Sequence, residues 1–145
     1  EVKAAVEGAR SVSDLPIVAT MSFDTHGHTM MGVSPAKAIE TLSEMDVFAL
    51  GANCGTGSDE LEDAVEAMRK ANSDILLVAK ANAGIPKVVG GGEIVYDGTP
   101  EVMAKYALNV REIGVNLIGG CCGSTPEHIR AMAEALENPA PKIKA

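Results

Sequence analysis

Three cysteines are the residues of this chain best suited to chemistry: Cys54, and the adjacent pair Cys121 and Cys122. A disulfide between neighbouring residues is strained and uncommon, and an odd number leaves one thiol over, so a secreted disulfide framework does not fit. Reduced thiols, and with them a cytoplasmic compartment, fit better. Three thiolates bind Zn²⁺ well, at about 2.3 Å each, and leave the fourth tetrahedral position open, which marks a catalytic site rather than a structural one. The competing view is that a Cys is a small buried hydrophobe, and spacing alone does not choose between the two. Both segments are rich in glycine, Gly51-Ala52-Asn53-Cys54-Gly55 and Gly119-Gly120-Cys121-Cys122-Gly123. Glycine lets the backbone crowd close to a metal and its ligand.

The elements that must position these thiols are legible as four short apolar runs at residues 15–21, 47–51, 75–79 and 115–119. The runs are continuous rather than alternating, as strands buried on both faces of a parallel sheet are. Helical patterns follow each one. Ser34-Pro35, Thr99-Pro100 and Thr125-Pro126 each offer a hydroxyl N-cap with Pro at the first helical position, where the missing N–H costs nothing. The remaining helix begins at Ser58 or Asp59 with an acidic first turn that suits the positive end of the helix dipole. Single apolar stripes are expected at Ala38, Ile39, Leu42 and Met45; at Leu61, Val65 and Met68; at Met103, Tyr106, Ala107 and Val110; and at Ile129, Met132, Ala133 and Leu136. A further amphipathic pattern, Val2, Ala5, Val6, Ala9, opens the chain without an initiator Met. The expectation is that the chain starts inside an element of something larger.

One helix followed by four strand-helix units is the repeat of a parallel α/β fold. It is compatible with an open doubly wound sheet or with half of an eight-stranded barrel. No G-x-G-x-x-G fingerprint follows any strand, and Gly90-Gly91-Gly92 reads as a flexible connection. Residues 1–138 form the expected partial barrel domain, and 139–145, with two prolines and two lysines, a tail or linker. In α/β folds chemistry sits just past the carboxyl ends of the strands, and Cys54, Cys121 and Cys122 all follow such ends. In a barrel, side chains from alternate strands share a layer, so three sulfurs carried two strands apart could meet at one point.

Composition narrows the function classes. A chain of 145 residues, 46% hydrophobic, can bury a core. A net charge of −8, with no clustered Lys and Arg, argues against a nucleic-acid surface. No apolar run reaches the roughly 18 to 20 residues that a membrane helix needs. Small-molecule chemistry is the natural expectation.

Other candidates are weaker. His26 and His28 form an H-x-H pair past the first strand, but a loop or pocket-lining role is expected because three thiolates already suffice for a metal. His128, three residues after Thr125, suits a capping or solvent-facing role. Asn53 and Asn82 lie on rim loops and are candidates for binding a substrate amino acid, though Asn is also common in loops. The acidic residues Asp59, Glu60, Glu62 and Asp63 read as a solvated helix start, and the seven methionines as core filling.

The string from Gly119 to Ile129, GGCCGSTPEHI, together with Gly51-Ala52-Asn53-Cys54-Gly55, resembles the signature of the homocysteine S-methyltransferase family. Its members include betaine-homocysteine methyltransferase and the homocysteine domain of cobalamin-dependent methionine synthase. Thr20-Met21-Ser22-Phe23, Thr29-Met30-Met31-Gly32 and Asn82-Ala83-Gly84-Ile85-Pro86 also look like family segments. The resemblance implies an eight-stranded βα barrel of which these four units are the fifth to eighth. It implies zinc held by Cys54, Cys121 and Cys122, and methyl transfer to the thiol of homocysteine to give methionine. The donor, whether betaine, methyl-tetrahydrofolate through cobalamin, or S-methylmethionine, would be read mostly by a missing N-terminal half of the barrel. That half, or a second copy of the chain, is the expected partner of the exposed sheet edges. Two rival readings remain open here: a zinc methyltransferase working with a corrinoid protein, and a structural zinc module with a fourth protein ligand.

Overall fold

Each hydroxyl-Pro pair starts a helix and each apolar run supplies a strand. The computed structural model describes residues 1–55 and 57–138, and the tail read at 139–145 lies outside the described residues. The elements run α1 (Val2–Arg10), β1 (Val18–Met21), α2 (Pro35–Leu42), β2 (Ala49–Cys54), α3 (Ser58–Ala71), β3 (Leu76–Ala81), β4 (Pro86–Val88), β5 (Ile94–Tyr96), α4 (Pro100–Ile113), β6 (Leu117–Gly120) and α5 (Pro126–Glu137). Ser34 Oγ accepts from the Lys37 N–H, and Thr99 Oγ1 from that of Val102, satisfying amides that the first helical turn leaves without partners. α3 begins at Ser58 without a side-chain cap, relying instead on Asp59 and Glu60 in its first turn.

Each main-sheet strand begins one to three residues after the start of its apolar run. Val47 and Val115, in the approaches to β2 and β6, are buried without ladder partners of their own. Hydrophobicity marks burial, and the ladder decides where a strand starts.

β1, β2, β3 and β6 form one all-parallel sheet in that order. The strand order follows the chain without reversal, and the helices pack successively, α2 on α3, α3 on α4 and α4 on α5. A doubly wound sheet would reverse its order and divide its helices between two faces. This sheet instead carries one helical layer, as an arc of a barrel wall does. Leu50 and Ala52 of β2 and Leu77, Ala79 and Ala81 of β3 join the helix stripes in a single core. The alternate residues Val18, Leu76 and Leu117 point to the concave side and are 49%, 36% and 38% exposed.

Two expectations need correction. The segment holding Gly90-Gly91-Gly92 is an antiparallel hairpin of β4 and β5, in register Pro86 to Tyr96, and the glycines make its tip. Val89 N–H donates to the Glu93 carbonyl, and Gly91 and Gly92 adopt positive φ of 86° and 81°. Two short strand-forming segments separated by glycines are a hairpin signal, and the glycines supply the turn's positive φ rather than looseness. On α5 the buried residues are His128 and Met132, while Ile129 is 47% exposed. The stripe is rotated because His128 is drawn inward by polar partners that periodicity does not reveal.

Candidate metal centre

Because β2 and β6 are parallel members of one sheet, their carboxyl ends open on the same rim. They are not neighbours: β3 lies between them, so their backbones are about two strand spacings, roughly 9.5 Å, apart. Three local features close that gap. β3 ends in Ala81, which is fully buried and small. β6 hands its chain across the end of β3, with the Cys121 N–H donating to the Ala81 carbonyl at 2.7 Å and the Ala83 N–H to that of Cys122 at 2.9 Å. The third is the backbone at Cys54. By strand alternation Cys54 would share the helix-facing side of Leu50 and Ala52, but its φ of 58° is left-handed. This conformation is unfavourable for a residue with a Cβ, and it turns the thiol to the opposite loop.

The result is a compact trio, with Sγ separations of 3.1 Å for Cys54 to Cys121, 4.0 Å for Cys54 to Cys122 and 3.9 Å for Cys121 to Cys122. All three are free thiols; Cys54 and Cys121 are half-buried and Cys122 is exposed. Tetrahedral coordination at about 2.3 Å places ligand sulfurs about 3.8 Å apart. Two of the three separations already match, and the third needs to open by well under 1 Å. The thiols form the only His, Cys, Asp and Glu grouping able to hold a metal among the described residues. They fit a soft divalent ion with one face left open on the side of Cys122.

Two asparagines support the trio. Asn53 Nδ2 lies 3.2 Å from Cys54 Sγ and 3.4 Å from Ser22 Oγ, a donor aimed at the first thiol. Asn82, buried at 6% exposure, donates from Nδ2 to the Gly55 carbonyl at 3.0 Å. It also accepts at Oδ1 from the Cys122 N–H at 3.1 Å. One side chain thus fastens the loop of Cys54 to the loop of Cys122.

Tyr96, at the end of β5, is a residue that the sequence reading passed over. Its phenol is held above its ordinary value, first by desolvation and then by the neighbouring cysteine side chains, Cys122 foremost. The β-branched and aromatic segment Ile94-Val95-Tyr96 after a glycine tip is the available signal.

The histidines fall where expected in role. His26 and His28 are exposed in a tight turn, with His28 Nδ1 3.0 Å from the His26 carbonyl, and they join no metal-binding group. His128 caps α5: Nδ1 accepts from the Thr125 N–H at 3.1 Å, which leaves Nε2–H to donate to the Gly98 carbonyl at 2.9 Å. It is buried rather than solvent-facing.

A family model described as homocysteine S-methyltransferase matches residues 1–136. The chain belongs to the homocysteine S-methyltransferase family. Among solved structures it is similar to the homocysteine methyltransferase MmuM from Escherichia coli. Against the metallated form the TM-score is 0.71 at 22% identity, covering 92% of this chain and 40% of that one. The apo form gives 0.69 at 22%, covering 92% and 44%. The oxidized form gives 0.69 at 24%, covering 92% and 40%. At these identities the likeness establishes the fold: four parallel strands and their helices match part of a barrel methyltransferase. The chain spans less than half the length of these relatives. No helix among the described residues is long and apolar enough to cross a membrane.

Proposed function

We propose that these residues form the metal-bearing part of a barrel that moves a methyl group to the thiol of homocysteine, giving methionine, with Zn²⁺ held by Cys54, Cys121 and Cys122. The observation that carries this reading is the approach of three free thiols from two non-adjacent strands to within 4.8 Å of one another, with one side open. A structural zinc site is closed by four protein ligands, and an open position is what a substrate thiol requires. When bound, Zn²⁺ would make the substrate thiol deprotonate near neutral pH, while three thiolates, leaving a net charge of about −1, keep that sulfur electron-rich.

The rest of the work falls to the chain. Cys54, Cys121 and Cys122 hold the ion, and Asn82 keeps their loops in register. Asn53 and Asn82 stand on the rim where the amino-acid portion of homocysteine would lie. The Asn82 amide already bridges two loops, so Asn53 is the better placed for a direct contact. The exposed concave residues Val18, Leu76 and Leu117 would pack against the strands that complete the barrel, and those strands would supply the remainder of the pocket and the donor site.

The test is zinc content and X-ray absorption of the full-length protein under reducing conditions. Wild type is expected to hold one zinc with three sulfur neighbours, rising to four when homocysteine is added. Each single Cys→Ser variant should lose most of its zinc. A variant that keeps full zinc and full methyl transfer removes that residue from the site. An unchanged ligand shell on adding homocysteine overturns the catalytic reading.

A further inference from the structure

Cys122 is the exposed member of the trio, and the next residue, Gly123, has φ of 77° and no side chain to anchor it. This sulfur therefore depends on backbone hydrogen bonds for its place. Two of them run to the connection after β3: the Cys122 N–H donates to Asn82 Oδ1 at 3.1 Å, and the Cys122 carbonyl accepts from the Ala83 N–H at 2.9 Å. That connection is the template against which Cys122 is set, and the template must itself be held.

We propose that His128 is a positioning residue for the metal centre: from the start of α5 it holds the Gly98 carbonyl, and through Gly98 it fixes the Asn82–Ala83 segment on which Cys122 rests. The inference deepens the methyltransferase reading and rests on the three-thiolate site. The path is continuous in hydrogen bonds. His128 Nε2–H donates to the Gly98 carbonyl at 2.9 Å, the Gly98 N–H donates to the Ala83 carbonyl at 2.8 Å, and the Ala83 N–H donates to the Cys122 carbonyl. Gly98 and Gly84 cross in direct contact. A Cβ on Gly98 would collide with the Ala83–Gly84 peptide, and one on Gly84 with Gly98 N and Asp97 Oδ1. Segments packed so closely shift together, because a dense interior transmits a displacement. From Cys122 the chain leads through Gly123 and Ser124 into Thr125 and the first turn of α5, so the path closes into a circuit with the cysteine on one side and the histidine on the other. The hairpin that ends before Gly98 also meets this circuit, since a Cβ on Gly123 would overlap the Tyr96 ring.

Two features suit His128 to more than capping. It is 8% exposed, so water competes little for the bond to Gly98. Its ring is engaged at both nitrogens: Nδ1 accepts from the Thr125 N–H at 3.1 Å, which assigns the proton to Nε2. Capping uses Nδ1 alone. Nε2 is directed at a residue 30 positions away that belongs neither to α5 nor to a cysteine loop.

The experiment measures zinc affinity of the full-length protein by competition with a chromophoric chelator, in wild type, His128→Asn, Thr125→Val and Gly98→Ala, with thermal melting of each metal-free form. Asn keeps an acceptor near the place of Nδ1 and is too short to reach Gly98. Thr125→Val removes the capping hydroxyl and leaves the Gly98 bond. Zinc should bind about three- to tenfold more weakly to His128→Asn, less than the roughly ten- to hundredfold usual when a direct partner of a ligand is lost, and within about twofold of wild type in Thr125→Val. Gly98→Ala, which wedges the two segments apart and leaves His128 in place, should weaken zinc at least as much as His128→Asn, and it carries the test if His128→Asn does not fold. Wild-type affinity in either of these two variants overturns this inference and leaves the methyltransferase reading intact. Equal weakening in Thr125→Val and His128→Asn also overturns it, because the effect would then belong to the helix start. A wild type that binds no zinc overturns both readings.

Discussion

Replacing Asn82 by Ala should damage the metal centre without touching a ligand. Asn82 makes two hydrogen bonds that join the cysteine loops, to the Gly55 carbonyl at 3.0 Å and from the Cys122 N–H at 3.1 Å. Each is worth about 0.5–1.5 kcal/mol net, and complete burial of the abandoned partners would raise the cost. Gly55 is half-buried and Cys122 exposed, so water can reach both, and the lower range applies. The sum is about 1–3 kcal/mol. Cys54 is itself held in a left-handed conformation that an L residue leaves readily once released. Most of the loss should therefore appear as wrongly placed sulfurs. Zinc binding is expected to weaken by roughly ten- to a hundredfold, the usual range for a residue that orients ligands. The assay is competition against a chromophoric zinc chelator in the full-length protein, paired with thermal melting of the metal-free form. Wild-type zinc affinity, within about a factor of two, would refute the strut argument even if melting fell, since it would show that the sulfurs find their places without Asn82.

Gly123→Ala should cost about 1–2 kcal/mol from its left-handed backbone alone, and more from overlap with the Tyr96 ring. Urea unfolding of the full-length protein measures it, and stability equal to wild type would contradict the close packing of hairpin and rim. Glu62 carries a raised pKa because burial outweighs the hydrogen bond from Asn109. The folded state thus favours the protonated acid, a contribution present below the ordinary value of 4.5 and lost as pH rises through the raised one. Glu62→Gln, which can still accept from Asn109, should melt above wild type at pH 7, with the difference vanishing near pH 4; a lower melting temperature at pH 7 refutes it. The isolated 145-residue chain, with Val18, Leu76 and Leu117 exposed on the concave face, should associate with increasing concentration in light scattering. A monodisperse monomer that binds no apolar dye would show that the face needs no cover.

The sequence by itself determined the local elements and the candidate metal ligands. Continuous apolar runs marked the four parallel strands, because a strand covered on both faces has no reason to alternate. Ser34, Thr99 and Thr125, each followed by Pro, marked helix starts because a hydroxyl and a ring without N–H answer the needs of the first turn. The family resemblance in the two cysteine segments, like the position of all three thiols at strand ends, was legible without coordinates. What only the tertiary structure decided is how those thiols meet. Strand periodicity assigns Cys54 to the helix side, and a positive φ at a non-glycine residue, written in no sequence pattern, reverses it. The winding in one direction, which separates a barrel arc from a doubly wound sheet, depends on which strands pair, and pairing is a non-local choice. Asn82 owes its role to partners 27 and 40 residues away. A hydrogen bond across such a distance leaves no periodic trace in the chain, so an asparagine that ties two loops looks, in sequence, like any other loop asparagine.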